Sequence, residues 1–344
     1  MEPASDVGDT YLEWALDLTP DEERLRRAML ERLPAQIIDC HAHSSPRDAI
    51  VRLSTFAWAQ ARSSFPTWTA EQSAGVREFL YGTSSVTRMV MGHPYRGFDH
   101  ASANRYLLDA TPEPRGVIIC GMPDHPEYTT AGLASGRYRG LKMYPAYREP
   151  PYERISEYFP DWAMRAAATA RVPIILHVAR PLHLCADEVV ALASANEDVT
   201  IILAHMGRMV TGGDETRAAF RRVGACPRVL VDTSMATDLQ THLDAHEVLG
   251  PERILFGSDE PFNLLRYVSF DHPSRGRRLM APRRYHWLDQ DMYRQYRSLA
   301  EHASLVHLQV LRAIVQSIDS VHGSESEIVL RQVFEGNAAR AFAV

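Results

Sequence analysis

Short apolar runs recur along the chain, separated by stretches with helical spacing. The runs are QIID (36–39), VTRMVM (86–91), RGVIIC (115–120), RGLKM (139–143), VPIILH (172–177), VTIILAH (199–205), RVLVDT (228–233) and RILFGSD (253–259). Several are nearly continuous Ile, Val and Leu, which is the pattern of strands covered on both faces. Between the later runs lie DWAMRAAATA (161–170), DEVVALASA (187–195), ETRAAFRRV (215–223) and DLQTHLDAHEVLG (238–250), each with helical periodicity. The last ends in Gly250, a residue suited to a helix C-cap. Eight strands alternating with helices predict an α/β protein built as a single (β/α)8 barrel. A doubly wound open sheet is the rival, but no GxGxxG follows any strand, so its usual nucleotide signature is missing.

Two segments break the alternation. One spans about 44–85, after the first strand, and the other about 262–305, after the last. Both leave from strand C-terminal ends, so both are expected on the catalytic face of the barrel. The first carries Phe56, Trp58, Phe65, Trp68 and Tyr81, read mainly as packing residues. The second carries an arginine cluster over 275–284, open to reading as a solvated face, an anion-attracting patch or a subunit contact. Ahead of the first strand, Thr19, Pro20 and Glu22 form a helix start: a capping Thr, a Pro in the first turn and an acid three residues after the cap. The expected organisation is a helical extension over 1–34 packed on a barrel over 35–344.

Composition narrows the function classes. The 344 residues are 45% hydrophobic and 23% charged, ordinary for a globular chain with ample core. The net charge of −6 offers no electrostatic footprint for nucleic acid. No apolar run reaches the roughly 18 residues of a membrane helix. The opening MEPASDVGDT lacks the apolar stretch of a signal peptide. The four cysteines, Cys40, Cys120, Cys185 and Cys226, are scattered without a CxxC pair, which favours a reducing compartment. The expectation is a cytoplasmic protein without nucleic-acid or membrane partners, with homo-oligomerisation left open.

The chemistry gathers at the strand ends. His41 and His43 form H-x-H at the end of the first run, and residues two apart on a strand share a face. His177 ends VPIILH, His205 ends VTIILAH and Asp259 ends RILFGSD. A carboxylate directly after ILFGS needs compensation, because burying an unpaired ion is costly. Four histidines and one aspartate would then share one barrel mouth, and imidazole nitrogen with carboxylate oxygen suits a borderline divalent ion such as zinc. His93 and Arg96 follow the second strand, Tyr144 the fourth, Arg180 comes three residues after His177, and Arg208 three after His205. Arginine grips carboxylates in a two-point fashion, so this set hints at an acidic small-molecule substrate.

The ordered motifs IIDCHAH, RGLKMYP, VPIILH, TIILAHMG and ILFGSDEP, with the terminal FEGNAARAF, resemble the amidohydrolase superfamily. More narrowly they are similar to the branch containing 2-amino-3-carboxymuconate-6-semialdehyde decarboxylase and 2-pyrone-4,6-dicarboxylate lactonase. The resemblance covers most of 36–343 and fits the two insertions poorly. It implies one divalent metal ion, zinc by preference, held by His41, His43, His177 and Asp259. It places His205 beside the bound water or substrate, and Asp259 and His205 as the catalytic pair. Lys142 matches the fourth-strand lysine, which in two-metal relatives outside this branch is a carboxylated bridge. Here it is read as an ion-paired lysine that also touches a substrate carboxylate, with Tyr144 standing where the branch has histidine. The implied activity is hydrolysis of an amide, lactone or related bond. The alternative is non-oxidative decarboxylation of an unsaturated or aromatic acid by the same metal site.

Overall fold

A computed structural model describes residues 12–49, 65, 67–93, 97–110, 115–148, 150–283, 285 and 288–344. Eight parallel strands follow one another around the molecule in sequence order. They are β1 (Gln36–His43), β2 (Ser85–Met91), β3 (Arg115–Cys120), β4 (Gly140–Met143), β5 (Ile174–Leu176), β6 (Ile201–Leu203), β7 (Val229–Asp232) and β8 (Ile254–Leu255). The sheet closes where the chain beyond β8 meets β1: Cys40 N–H donates to Phe256 O at 2.9 Å and Asp259 N–H to His41 O at 2.7 Å. The fold is therefore a (β/α)8 barrel.

The apolar runs form strands because they are buried on both sides. Ile38, Cys40, Met89, Met91, Ile118, Cys120, Ile175, Ile202 and Leu255 pack inside the barrel. Their neighbours Ile37, Val90, Val117, Ile119, Ile174, Leu176, Ile201, Leu203 and Ile254 face the outer core. This is the period-two alternation of a strand. Ala338 and Phe342, from the helix Asn337–Phe342, join the inner cluster, and Asn337 donates to Ile254 O at 2.6 Å. That helix thus plugs the end of the barrel opposite the strand C-termini.

The expected helix start at Thr19 is a full capping box, and the helix runs Pro20–Leu30. Its Glu22 is buried and accepts from Arg266 Nη1 on both carboxylate oxygens (2.7 and 2.9 Å) and from the Leu305 N–H (2.9 Å). Arg266 and Leu305 belong to the second insertion, which builds its own small antiparallel sheet from β9 (Arg266–His272), β10 (Gly276–Met280) and β11 (Ser304–Leu305). The first insertion supplies the helix Ala70–Tyr81, while its Phe56 and Trp58 lie outside the described residues. Three helices that the periodicity did not announce, Ala70–Tyr81, His100–Ala110 and Pro126–Ala134, complete the layer around β1 to β4.

Candidate metal centre

The strand pairing slips between Asp39 and Ala42, a bulge in β1. Bulges re-aim side chains beside functional sites, and this one sits at His41. His41 is fully buried and His43 is 3% exposed. Each ring is anchored through Nδ1: His41 to Asp232 Oδ2 at 2.8 Å, and His43 to Gly92 O at 2.9 Å. Each turns Nε2 toward Asp259 Oδ1, at 3.3 Å for His41 and 3.1 Å for His43. His41 Nε2 has no hydrogen-bond partner although it is buried. An orphaned imidazole nitrogen beside a carboxylate oxygen is what a metal ligand looks like without its ion. Ligand atoms of His41, His205 and Asp259 all lie within 4.8 Å of one another. The donor set fits a divalent metal ion.

His205 and Asp259 reach this point through an unusual backbone. His205, Met206, Gly207 and Arg208 have φ of 57°, 50°, 67° and 60°, one left-handed turn directly after β6. Asp259 has φ of 60°. Left-handed conformation costs an L-residue roughly 1–2 kcal/mol, so the surroundings must enforce it. His205 N–H donates to Asp232 Oδ1 at 2.9 Å, and its Nδ1 lies 2.8 Å from Ser234 Oγ and 3.2 Å from Ser234 O. Arg208 Nη1 donates to Val178 O at 3.1 Å and also to Ala179 O, locking the turn to the loop that follows His177. The chain turns sharply just beyond β8. The left-handed residue is Asp259 itself, and Gly257 serves close approach: a Cβ there would stand 3.0 Å from His41 Cβ.

Burial sets the charge states. It lowers the pKa of His41 and His177, and brings His205 down to about 4, so these rings are neutral and able to coordinate. Burial alone would raise Asp259, but the His205, His43 and His41 rings outweigh it and bring the carboxyl to about 2. Lys142 is pushed down to about 8 by burial, opposed by the Asp232 and Asp259 charges.

The other predicted residues are spread around the same mouth. Lys142 is 1% exposed on β4, with Nζ 6.0 Å from the Tyr144 ring. Tyr144 stands 4.6 Å from the His177 ring, and His177 5.0 Å from His205. His177 is thus beside the His41, His205 and Asp259 cluster, reaching it through ring contact with His205. His93 is buried against His43 and Phe262, with ring centres 5.9 and 5.6 Å away. Tyr144, His177, Arg180 and Arg208 line a cavity of about 1230 Å³. Arg180 is 48% exposed and pairs with Glu188 on the cavity wall. Arg96 lies outside the described residues, as do Arg284, His286 and Trp287 of the second insertion.

Two buried carboxylates hold the centre in place, and the first of them, Asp232, is one that sequence reasoning left out. Asp232 is fully buried and accepts from His41, His205 and Ser234. Glu260, 1% exposed, accepts from Arg88 Nη1 at 2.8 Å, Trp68 Nε1 at 2.9 Å and the Ser73 hydroxyl. The readable signal was an ionisable residue in or directly after an apolar run: Arg88 within VTRMVM and Asp232 ending VLVD.

Residues 38–344 match the family described as Amidohydrolase. No curated protein matches the sequence. Among solved structures, the chain is similar to an amidohydrolase from Burkholderia multivorans with bound zinc (15% identity, TM-score 0.57), covering 90% of this chain and 100% of that one. It is similar to amidohydrolase 2 from Bifidobacterium longum subsp. infantis (16% identity, TM-score 0.54), with 90% and 100% covered. It is also similar to 5-carboxyvanillate decarboxylase from Novosphingobium aromaticivorans, complexed with manganese and 4-hydroxy-3-methoxy-5-nitrobenzoic acid (14% identity, TM-score 0.56), with 90% and 96% covered.

Proposed function

From the premise that this chain belongs to the amidohydrolase family over residues 38–344, we propose that it is a metal-dependent hydrolase of a small acid carrying an amide, lactone or related bond. The observation that carries the reading is the buried, unpartnered His41 Nε2 facing Asp259 Oδ1, with His43 Nε2 on the same oxygen. His41, His43, His177 and Asp259 would hold one divalent ion, zinc by preference. When bound, the ion acidifies water and polarises a carbonyl oxygen. Asp259 accepts the water proton and passes it to the leaving group. Its side chain is 10% exposed. His205 orients the reacting oxygen through Nε2, because its Nδ1 is engaged by Ser234. Tyr144 lines the cavity, and Lys142 is buried 6.0 Å from its ring. Arg180 and Arg208 are the first choices to read the anionic group of the substrate, with Arg96 and the 275–284 arginine cluster next in order. The division into an extension over 1–34 and a barrel over 35–344 is part of the same proposal.

The test is a product assay on a panel of small lactones, amides and unsaturated acids in isotope-labelled water, with metal content measured by mass spectrometry. Label in the product and about one equivalent of zinc are expected. Release of carbon dioxide without label would replace hydrolysis by decarboxylation on the same site. Equal turnover of substrates lacking every anionic group would remove the role of the arginines.

A further inference from the structure

Asp232 is surrounded by donors only. Its Oδ2 faces His41 Nδ1 at 2.8 Å. Its Oδ1 accepts the backbone N–H of His205 at 2.9 Å and of Ser234 at 3.1 Å, and the Ser234 hydroxyl as well. Two of these are backbone N–H groups, which cannot reverse their direction. A carboxylate, with about four acceptor positions and no proton, satisfies all of them.

The direction of each bond follows. The Ser234 hydroxyl has one proton and gives it to Asp232, so it can only accept from His205 Nδ1, 2.8 Å away. The Ser234 carbonyl, 3.2 Å from the same nitrogen, is an acceptor in any case. His205 therefore carries its proton on Nδ1. So does His41, facing Asp232 Oδ2. Both rings keep their Nε2 lone pairs for the centre.

We propose that Asp232 is the positioning residue of the metal centre: one buried carboxylate that fixes the tautomers of both His41 and His205, directly for the first and through the Ser234 hydroxyl for the second. The assignment rests on the metal-centre reading for its purpose. Its first readout, the ring tautomer, is independent of any metal.

The electronic requirement makes an unusual prediction about the near-isosteric variant. In Asp232→Asn, the carboxamide oxygen must face the three donors on the Oδ1 side, because two of them are fixed N–H groups. The NH2 then faces His41 Nδ1 and drives the ring proton to Nε2, where it opposes a metal. In Asp232→Ala the Ser234 hydroxyl, 3.3 Å from His41 Nδ1 and 2.8 Å from His205 Nδ1, is free to donate or accept, so neither tautomer is imposed. Zinc affinity, measured by chelator competition on the full chain, should fall in the order wild type, Ala, Asn, with the Asn variant weakened by about 10–100-fold or more. A role confined to filling space reverses the last two, because Asn preserves the shape.

Nitrogen-15 NMR of the imidazoles, recorded before and after adding zinc, supplies the tautomer readout. Wild-type His41 and His205 should both be Nδ1–H forms, and the Asn variant should move His41 to the Nε2–H form. Wild-type His41 in the Nε2–H form overturns the proposal, as does an Asn variant that binds zinc as tightly as wild type. If either variant fails to fold by circular dichroism, the wild-type tautomers and the remaining variant decide. A wild type that shows both Nδ1–H rings but binds no metal supports the orienting role and defeats the metal-centre reading alone.

Discussion

Asp259 occupies the left-handed region with φ of 60°, which asparagine enters about as readily as aspartate. Asp259→Asn therefore removes the charge and leaves the turn intact. Turnover should fall roughly 100-fold or more if proton transfer is lost, with metal content assayed separately because loss of the ion gives the same phenotype. His205 also sits in this region, so His205→Asn is the matching variant there, expected to lower turnover while the ion stays largely bound. At this scale the sequence was legible where a polar residue ended an apolar strand. His41, His177, His205 and Asp259 announced themselves in that way. Asp232 ends VLVD by the same rule, but no motif marks it. Arg88 was hidden inside its strand, and its partner Glu260 is 172 residues away in the chain. Pairings across such distances leave no local pattern.

Among the elements, the left-handed turn after β6 has a glycine at its tightest point. A Cβ on Gly207 would stand 2.8 Å from Leu182 Cβ, and φ there is +67°. Gly207→Ala should lower stability by about 1–3 kcal/mol from overpacking, read from the denaturation midpoint, and should reduce turnover by disturbing His205. The N-terminal helix makes a second case. Glu22 and Arg266 side chains are each 7% exposed. Removing one partner of such a buried pair typically costs 3–5 kcal/mol, so Glu22→Ala should lose about that much, with faster hydrogen exchange over Pro20–Leu30. Burial raises the Glu22 pKa, but bonds from Arg266, Thr19 and Leu305 outweigh it and the net shift is below the usual 4.5. The lowered folded-state value means this stability is full above pH 4.5 and drains away as pH falls through the folded-state pKa. An acid titration of unfolding should show a component that the Glu22→Ala variant lacks. The strands were readable because they are apolar on both faces. Helix Pro126–Ala134 buries only Thr129 and Leu133, too few positions to make a stripe in the sequence. The small sheet β9–β10–β11 was unreadable for the opposite reason: its two longer strands mix polar and apolar residues and are mostly half-exposed.

For the molecule as a whole, the centre lies across the seam where the barrel closes. His41 and His43 come from β1 and Asp259 from just beyond β8. An ion there binds the folded state and not the separated strands. At a free concentration 100 times its dissociation constant it would add about 2.7 kcal/mol. Thermal unfolding should therefore occur on the order of 5 °C lower after chelation, and scanning calorimetry with and without zinc would show it. Among the described residues, no helix is long and apolar enough to cross a membrane.

Asp259 and Glu260 are consecutive, yet one faces the His41 and His43 rings and the other is held by Arg88 of β2 and by Trp68 and Ser73 of the first insertion. Barrel enzymes are commonly pictured as a fixed frame with exchangeable loops. That picture fails here for loop one, since two of the groups that hold Glu260, the neighbour of Asp259, arrive on it. Transplanting the 44–85 segment from a relative would exchange part of the frame along with the specificity surface. A graft that respects the seam would have to move Trp68, Ser73 and the SDEP turn as one piece, and recombination between relatives faces the same restriction.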